Sequence, residues 1–299
     1  MGCGWPMCWP PCATALAEAN ALLPWAEALG APLPPLVVAA ERVAATVLQG
    51  VHGRRRPGQG DAFWQYRAYL PGDPAGRIDW RQSARGDRLY VRETEWEAAQ
   101  TVALWRDASP GMGWRSQREL PTKRTRAELL LLALAALLLR GGERVRLFGL
   151  PRAFAGRGAL AAIARSLPLA ATTPADGRLP RHARAVLIGD FLSPLPEIAQ
   201  HLGALAAQGL RGMLLQVLDP AEETLPFRGR VRFEGVGLPE ETLVPRVESI
   251  RGLYAERLAA HREGLRGLAA AAGFTFCLHR TDAPPEPALL ALWQGLAPP

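Results

Sequence analysis

Apolar residues follow two different spacings along this chain, and the change from one to the other outlines the elements. Leu36, Val37, Ala40, Val43, Ala44, Val47 and Leu48 recur at helical spacing. With a shorter stretch before Gly30-Ala31-Pro32 they predict two short helices within residues 13–50. From residue 101 onward, strand-like and helix-like stretches alternate. Residues 101–106 predict a strand that ends at Asp107. Residues 122–140 predict a helix with Thr122 as N-cap and Gly141-Gly142 as its stop. Strands are then predicted at 144–150, 183–188, 213–218 and 274–278, and helices at 160–167 and 196–208. A hairpin is predicted around Gly229 between Phe227 and Phe233. Val247, Ile250, Tyr254, Leu258, Leu265 and Leu268 stripe one long helix. Such alternation predicts an α/β fold, a doubly wound and mainly parallel sheet covered on both faces.

Composition narrows the class without changing that picture. With 299 residues, 48% of them hydrophobic and 21% charged, the chain can bury a substantial core, which excludes wholesale disorder. Cys3, Cys8, Cys12 and Cys277 are too few and too clumped for a disulfide framework, and their spacings match no zinc pattern. Pro6, Pro10 and Pro11 interrupt any secretory h-region. The longest apolar run, residues 129–139, is too short for a membrane helix of roughly 20 residues. A soluble, cytoplasmic protein is expected. No nucleotide-binding glycine loop or nucleophile elbow is present, and His52, His182, His201, His261 and His279 fall in no metal-ligand spacing.

Charge is unevenly placed. The net charge is +7, and every basic residue is arginine except one, Lys123. Residues 52–92 hold nine of the arginines against four aspartates, interleaved with Phe63, Trp64, Tyr66, Tyr69, Trp80 and Tyr90. The chain therefore divides into an N-terminal tail with helices (residues 1–50), an arginine-rich strand-and-turn segment (51–98) and the α/β part (99–299). Four roles compete for the arginine-rich segment: a solvated face, internal arginine–carboxylate pairing around Asp73, Arg77, Asp79, Arg81 and Arg85, docking to an acidic partner, or a nucleic-acid track. Arg54, Arg55 and Arg56 have no adjacent acid and are the best exposed contact candidates.

Three predicted strands each end in an aspartate: Asp107, Asp190 and Asp219. Ligands of open α/β sheets bind beyond the carboxyl ends of the strands. Carboxylates gathered there need a cation, an arginine or hydrogen-bond donors, and a hard divalent ion would serve. Helix capping is the competing role, favoured for Asp219 because Pro220 follows it. Ser109 adds a hydroxyl beside Asp107, and Trp105 and Trp114 flank the loop, Trp105 toward the core and Trp114 toward solvent.

Asp107-Ala-Ser109-Pro-Gly111-Met112 after a hydrophobic strand resembles the metal-ion-dependent adhesion site of von Willebrand factor A domains, whose first-loop pattern is D-x-S-x-S. Upstream, Tyr66-Arg-Ala-Tyr69-Leu-Pro-Gly72-Asp73-Pro-Ala-Gly-Arg77-Ile78-Asp79-Trp80-Arg-Gln-Ser83-Ala84-Arg85, followed by residues 89–93, is similar to the hallmark of the family labelled domain of unknown function 58. The resemblance covers roughly residues 36 to 220. It implies a von Willebrand A-like domain that binds partners without turning over substrate, alongside AAA+ ATPases of the MoxR type acting on client proteins. It also implies Asp107, Ser109 and Asp190 as Mg²⁺ ligands. Gly111 stands where the second serine would, and Gly156-Arg157-Gly158 occupies the region of the usual threonine. A site short of two hydroxyls binds the ion weakly or not at all, and Arg157 is the candidate to stand in for it. Two alternatives stay open: a metal-dependent hydrolase using the rim aspartates, and a nucleic-acid binder using Arg54, Arg55 and Arg56.

Overall fold

The computed structural model describes residues 33–50, 63–70, 78–86, 88–94, 100–174, 179–180, 183–235 and 241–296. The chain opens with α1 (Leu33–Gly50), followed by an antiparallel pair, β1 (Phe63–Ala68) and β2 (Tyr90–Thr94), that carries the one-turn helix α2 (Trp80–Ser83) between its strands. The main sheet begins at β3 (Thr101–Arg106). It continues through α3 (Lys123–Arg140), β4 (Arg144–Leu147), β5 (Ala153–Phe154), α4 (Leu160–Ser166), β6 (Arg184–Gly189), α5 (Leu195–Ala207) and β7 (Arg211–Leu218). After the short α6 (Pro220–Thr224) come a hairpin of β8 (Val231–Glu234) and β9 (Glu241–Val244), then α7 (Arg251–Ala271), β10 (Phe274–Arg280) and α8 (Pro285–Gly295).

Six strands lie in the order β10-β7-β6-β3-β4-β5, all parallel except β5 against β4. This is the doubly wound, mainly parallel α/β sheet that the alternating pattern predicts. From β3 the chain builds outward through β4 and β5, then returns to the other side of β3 for β6, β7 and β10. The reversal leaves a crevice between the carboxyl ends of β3 and β6, the place where such sheets bind ligands.

Strand side chains alternate between two cores. Val102 and Leu104 of β3, with Val186 and Ile188 of β6, join a cluster that includes Leu130, Leu131, Leu134 and Leu138 of α3, Val43 and Val47 of α1, and Leu289 and Leu292 of α8. Ala103 and Trp105 point the other way, into a cluster with Ile198, Leu202 and Leu205 of α5 and Leu265 and Ala269 of α7. α3 is apolar all round between residues 129 and 139 because the sheet, α1 and α8 enclose it. Thr122 caps it by accepting the Thr125 N–H at 3.1 Å, and Gly141 ends it.

Several features differ from the sequence expectation, among them the long helix, which begins at Arg251 and leaves Val247 in a preceding 3-10 turn. The hairpin pairs residues 231–234 with 241–244, so it does not turn at Gly229. Phe227 is instead used in an edge-on ring contact with Phe233, the centroids 6.1 Å apart. The two-residue β5 is too short to leave a period. The helix α8, started by Pro284 and Pro285, closes the core after β10.

β10 forms an edge of the sheet and holds His279, which is 5% exposed, its Nε2 without a hydrogen-bond partner among the described residues. Burial, then the neighbouring Arg126 guanidinium, lowers its pKa from 6.5 to about 4. Between those values the unfolded chain binds the proton and the folded chain does not, so stability falls as the pH drops from 6.5 toward 4. Denaturant titrations across that window are expected to lose on the order of 3 kcal/mol. His279→Gln should remove most of that slope, and an unchanged slope would place its origin elsewhere.

Candidate functional site

The rim is assembled from loops that leave β3, β6 and β7. Asp107 continues the ladder of β3, its N–H donating to the Ile188 carbonyl at 2.8 Å. Its Oδ1 accepts the Ser109 N–H at 2.7 Å, a local turn that short aspartate side chains favour. The next strand over delivers Asp190, and Gly189 before it explains how closely the two loops approach. A Cβ on Gly189 would lie 2.9 Å from the Cβ of Asp107, so a side chain there would push the loops apart. Burial raises the pKa of Asp107 and the charge of Asp190 adds to the rise, while the Ser109 N–H opposes it.

Asp190 is fixed from several directions. Its Oδ1 accepts the Leu192 N–H at 3.3 Å, and its main-chain carbonyl accepts from the buried Gln216 amide at 2.8 Å. Phe191 follows with φ at 49°, a left-handed conformation that costs a residue with a Cβ roughly 1–2 kcal/mol. His261 offsets that cost by donating from Nε2 to the Phe191 carbonyl at 2.7 Å, while the Phe191 ring packs against Trp105 with centroids 6.1 Å apart. This backbone turn carries Leu192 outward, where it is 41% exposed.

Asp219 takes the capping role. Its Oδ1 accepts the Ala221 N–H and its Oδ2 the Ser116 N–H, both at 2.9 Å. Glu222 completes a capping box by returning Oε2 to the Asp219 N–H at 2.9 Å. The other oxygen of Glu222 points into the crevice, where it meets the chain's one lysine.

Lys123 is the first residue of α3 and is 1% exposed. Its ammonium donates to Asp190 Oδ2 at 2.8 Å and to Glu222 Oε1 at 2.5 Å. Burial pushes its pKa down, but the two carboxylates outweigh burial and the net shift is upward. Glu222 is raised by burial against the pull of Lys123. The adjacent Arg124 reaches the other loop, donating to the carbonyls of Ala108 at 3.1 Å and Ser109 at 3.2 Å.

These side chains do not form a divalent-ion shell. Mg²⁺ requires near-octahedral oxygen ligands at about 2.0–2.1 Å. Here Asp190 Oδ2 holds an ammonium, while Asp190 Oδ1 and Asp107 Oδ1 accept backbone N–H groups. Position 111 faces the same oxygen, since a Cβ there would lie 3.6 Å from Asp190 Oδ2, but glycine brings no hydroxyl. Among the described residues, no group of three or more His, Cys, Asp or Glu side chains is placed to hold a metal.

The structure thus brings Asp107, Ser109 and Asp190 together at one rim, with Trp114 partly exposed beside them. The group on Asp190 is Lys123, in the role expected of Arg157, which opens a one-turn 3-10 segment and whose side chain lies outside the described residues. Arg54, Arg55, Arg56, Gly72, Asp73 and Arg77 also lie outside them. Sequence reasoning missed Lys123, Arg124, Glu222, Gln216 and His261 as rim residues. Two carried a signal: Glu222 by its capping-box spacing from Asp219, and Lys123 as the single lysine, placed at the dipole-disfavoured start of a helix.

Comparison with known proteins covers the same region. The family model described as "Protein of unknown function DUF58" matches residues 65–264, from β1 into α7. The chain belongs to this family. Curated relatives include the "Uncharacterized protein Mb1516" of Mycobacterium bovis and the "Uncharacterized protein Rv1480" of Mycobacterium tuberculosis. Each is 28% identical over 284 residues, covering 85% of both chains. A solved structure, that of the "conserved hypothetical protein BatB from Bacteroides thetaiotaomicron", aligns with a TM-score of 0.38 at 12% identity, over 66% of this chain and 98% of that one.

The remaining signature residues of this DUF58 chain have local structural work. Asp79 caps α2 by accepting the Gln82 N–H at 2.9 Å. Ser83 is buried, donating to the Asp79 carbonyl at 2.8 Å and accepting the Tyr90 N–H at 2.9 Å. Tyr69 donates its N–H to the Leu89 carbonyl at 2.8 Å, Arg85 lies in the turn after α2, and Trp80 is 63% exposed.

Removing the cation leaves Asp190 and Glu222 facing each other without compensation. Lys123→Met is expected to destabilise the protein by about 3–5 kcal/mol, as breaking a buried ion pair does. Urea unfolding with an unchanged slope measures it, and a loss below about 1 kcal/mol would contradict this geometry.

Proposed function

We propose that this chain is a non-catalytic protein-interaction adaptor whose docking face is the rim between β3 and β6, working with an AAA+ ATPase of the MoxR type in assembling or maturing a client protein. The observation that carries this reading is the way the rim satisfies itself. Asp190, Asp219 and Glu222 are each committed to donors of this same chain, and the groups turned outward beside them are Leu192, Ser109 and the partly exposed Trp114. Loops fixed by an internal network present a contact surface that loses little freedom on docking. A hydrolytic site would need a carboxylate or histidine free to activate water. Of the rim's candidates, His261 is turned onto the Phe191 carbonyl, and Asp107, whose Oδ1 takes the Ser109 N–H and whose pKa burial raises, is the carboxylate on which a second, hydrolytic reading rests. The ATPase partner rests on family resemblance. The site's placement at the switch point of the sheet, where open α/β sheets bind ligands, fits a binding role.

The test is a binding titration against the MoxR-type ATPase of the same host, with Leu192→Asp and the Leu192→Asp/Ser109→Tyr double variant compared with wild type. The single variant is expected to bind at least about tenfold more weakly, equivalent to ~1.4 kcal/mol, with an unchanged melting temperature. Full affinity in the double variant would place docking away from the rim.

A further inference from the structure

The resemblance of the Asp107-Ala-Ser109 loop to a metal-ion-dependent adhesion site implies rim loops joined through one divalent ion. In this chain the loops after β3, β6 and β7 are joined by consecutive residues at the start of α3. Lys123 holds the loop after β6 through Asp190 and the segment after β7 through Glu222. Arg124 holds the loop after β3 through two carbonyls. Lysine is a poor choice for this position on every general ground. It is rarely buried, and a cation in the first helical turn opposes the helix dipole. The other 34 basic residues are arginine, and the one compact ammonium stands at the point where carboxylates from two separate loops meet. Position 111, where a hydroxyl would complete an ion's shell, is glycine, and it faces the very oxygen that Lys123 occupies.

We propose that Lys123 and Arg124 are a built-in replacement for the divalent ion: two fixed monovalent cations hold the rim loops together, and the rim neither needs nor binds a metal at Asp190. The inference goes beyond the docking role and is tested on the isolated chain, so a failed partner assay leaves it untouched.

Mn²⁺ binding followed by electron paramagnetic resonance, which reads the free ion, provides the first measurement. Wild type and Asp190→Asn should show the same Mn²⁺ uptake. A one-to-one Mn²⁺ site in wild type that disappears in Asp190→Asn would overturn the proposal. The second measurement uses the single lysine as its own reporter. An amine-reactive ester should label the α-amine of the native chain but leave Lys123 unlabelled, equally in EDTA and in millimolar Mg²⁺, until urea unfolds the protein. Labelling of Lys123 in the native chain, or labelling that depends on Mg²⁺, would show that the ammonium is displaced from the crevice. In the Lys123→Ala/Gly111→Ser variant, which trades the ammonium for space and a hydroxyl, Mn²⁺ affinity should rise at least about tenfold over wild type. A folded variant with no gain would show that Lys123 is not what excludes the ion. If that variant does not fold, the two wild-type measurements decide the question.

Discussion

An ammonium held between two carboxylates is the constraint around which the rest of the rim is arranged. Asp190 and Glu222 come from segments after different strands, and the Lys123 ammonium sits between their facing carboxylates. Once Lys123 is there, further features follow. Glu222 must be aimed by a capping box, and the Asp219 that anchors the box also captures the loop after β3 through Ser116. Asp190 must be aimed by Gln216 and by a left-handed Phe191 that His261 supports. Each link is a hydrogen bond worth about 1 kcal/mol on its own, but removing the ion pair leaves charge without a partner, which costs several times more.

The two cores explain why the rim can be this polar. α3 is enclosed by sheet, α1 and α8, so its start is held in place by apolar contacts along its length, and the lysine at its first position is delivered to the crevice by that packing. The apolar helix therefore fixes the position of the cation, and the cation fixes the loops. Gly189 and Gly111 contribute by absence: one lets the strands' aspartates approach, and the other leaves room beside Asp190.

Most of the fold was legible because periodicity and breakers agree along the α/β part. Thr101–Arg106 and the α3 cap at Thr122 were readable to the residue, since an apolar strand run and a Thr-to-Gly helix frame are strong local signals. β5 and the true register of the β8–β9 hairpin were not, because two residues make no period and Phe227 serves a ring contact rather than a ladder. At the site, the convergence of Asp107 and Asp190 could be foreseen from their places at strand ends. The ammonium could not, since nothing local tells which strand end a helix start will face, and Lys123 lies 67 residues from Asp190 and 99 from Glu222.

The core is wider than the region by which the family is recognised. The family match spans residues 65–264, yet α1 precedes it and Leu265, β10 and α8 follow it, and all of them supply buried residues to the two clusters. A fragment trimmed to the match would keep every rim loop while removing α1 and α8 from around α3 and exposing the long side of β7 as a raw edge. Such a piece would be sticky rather than inert, prone to pairing with copies of itself before any specific contact could be judged.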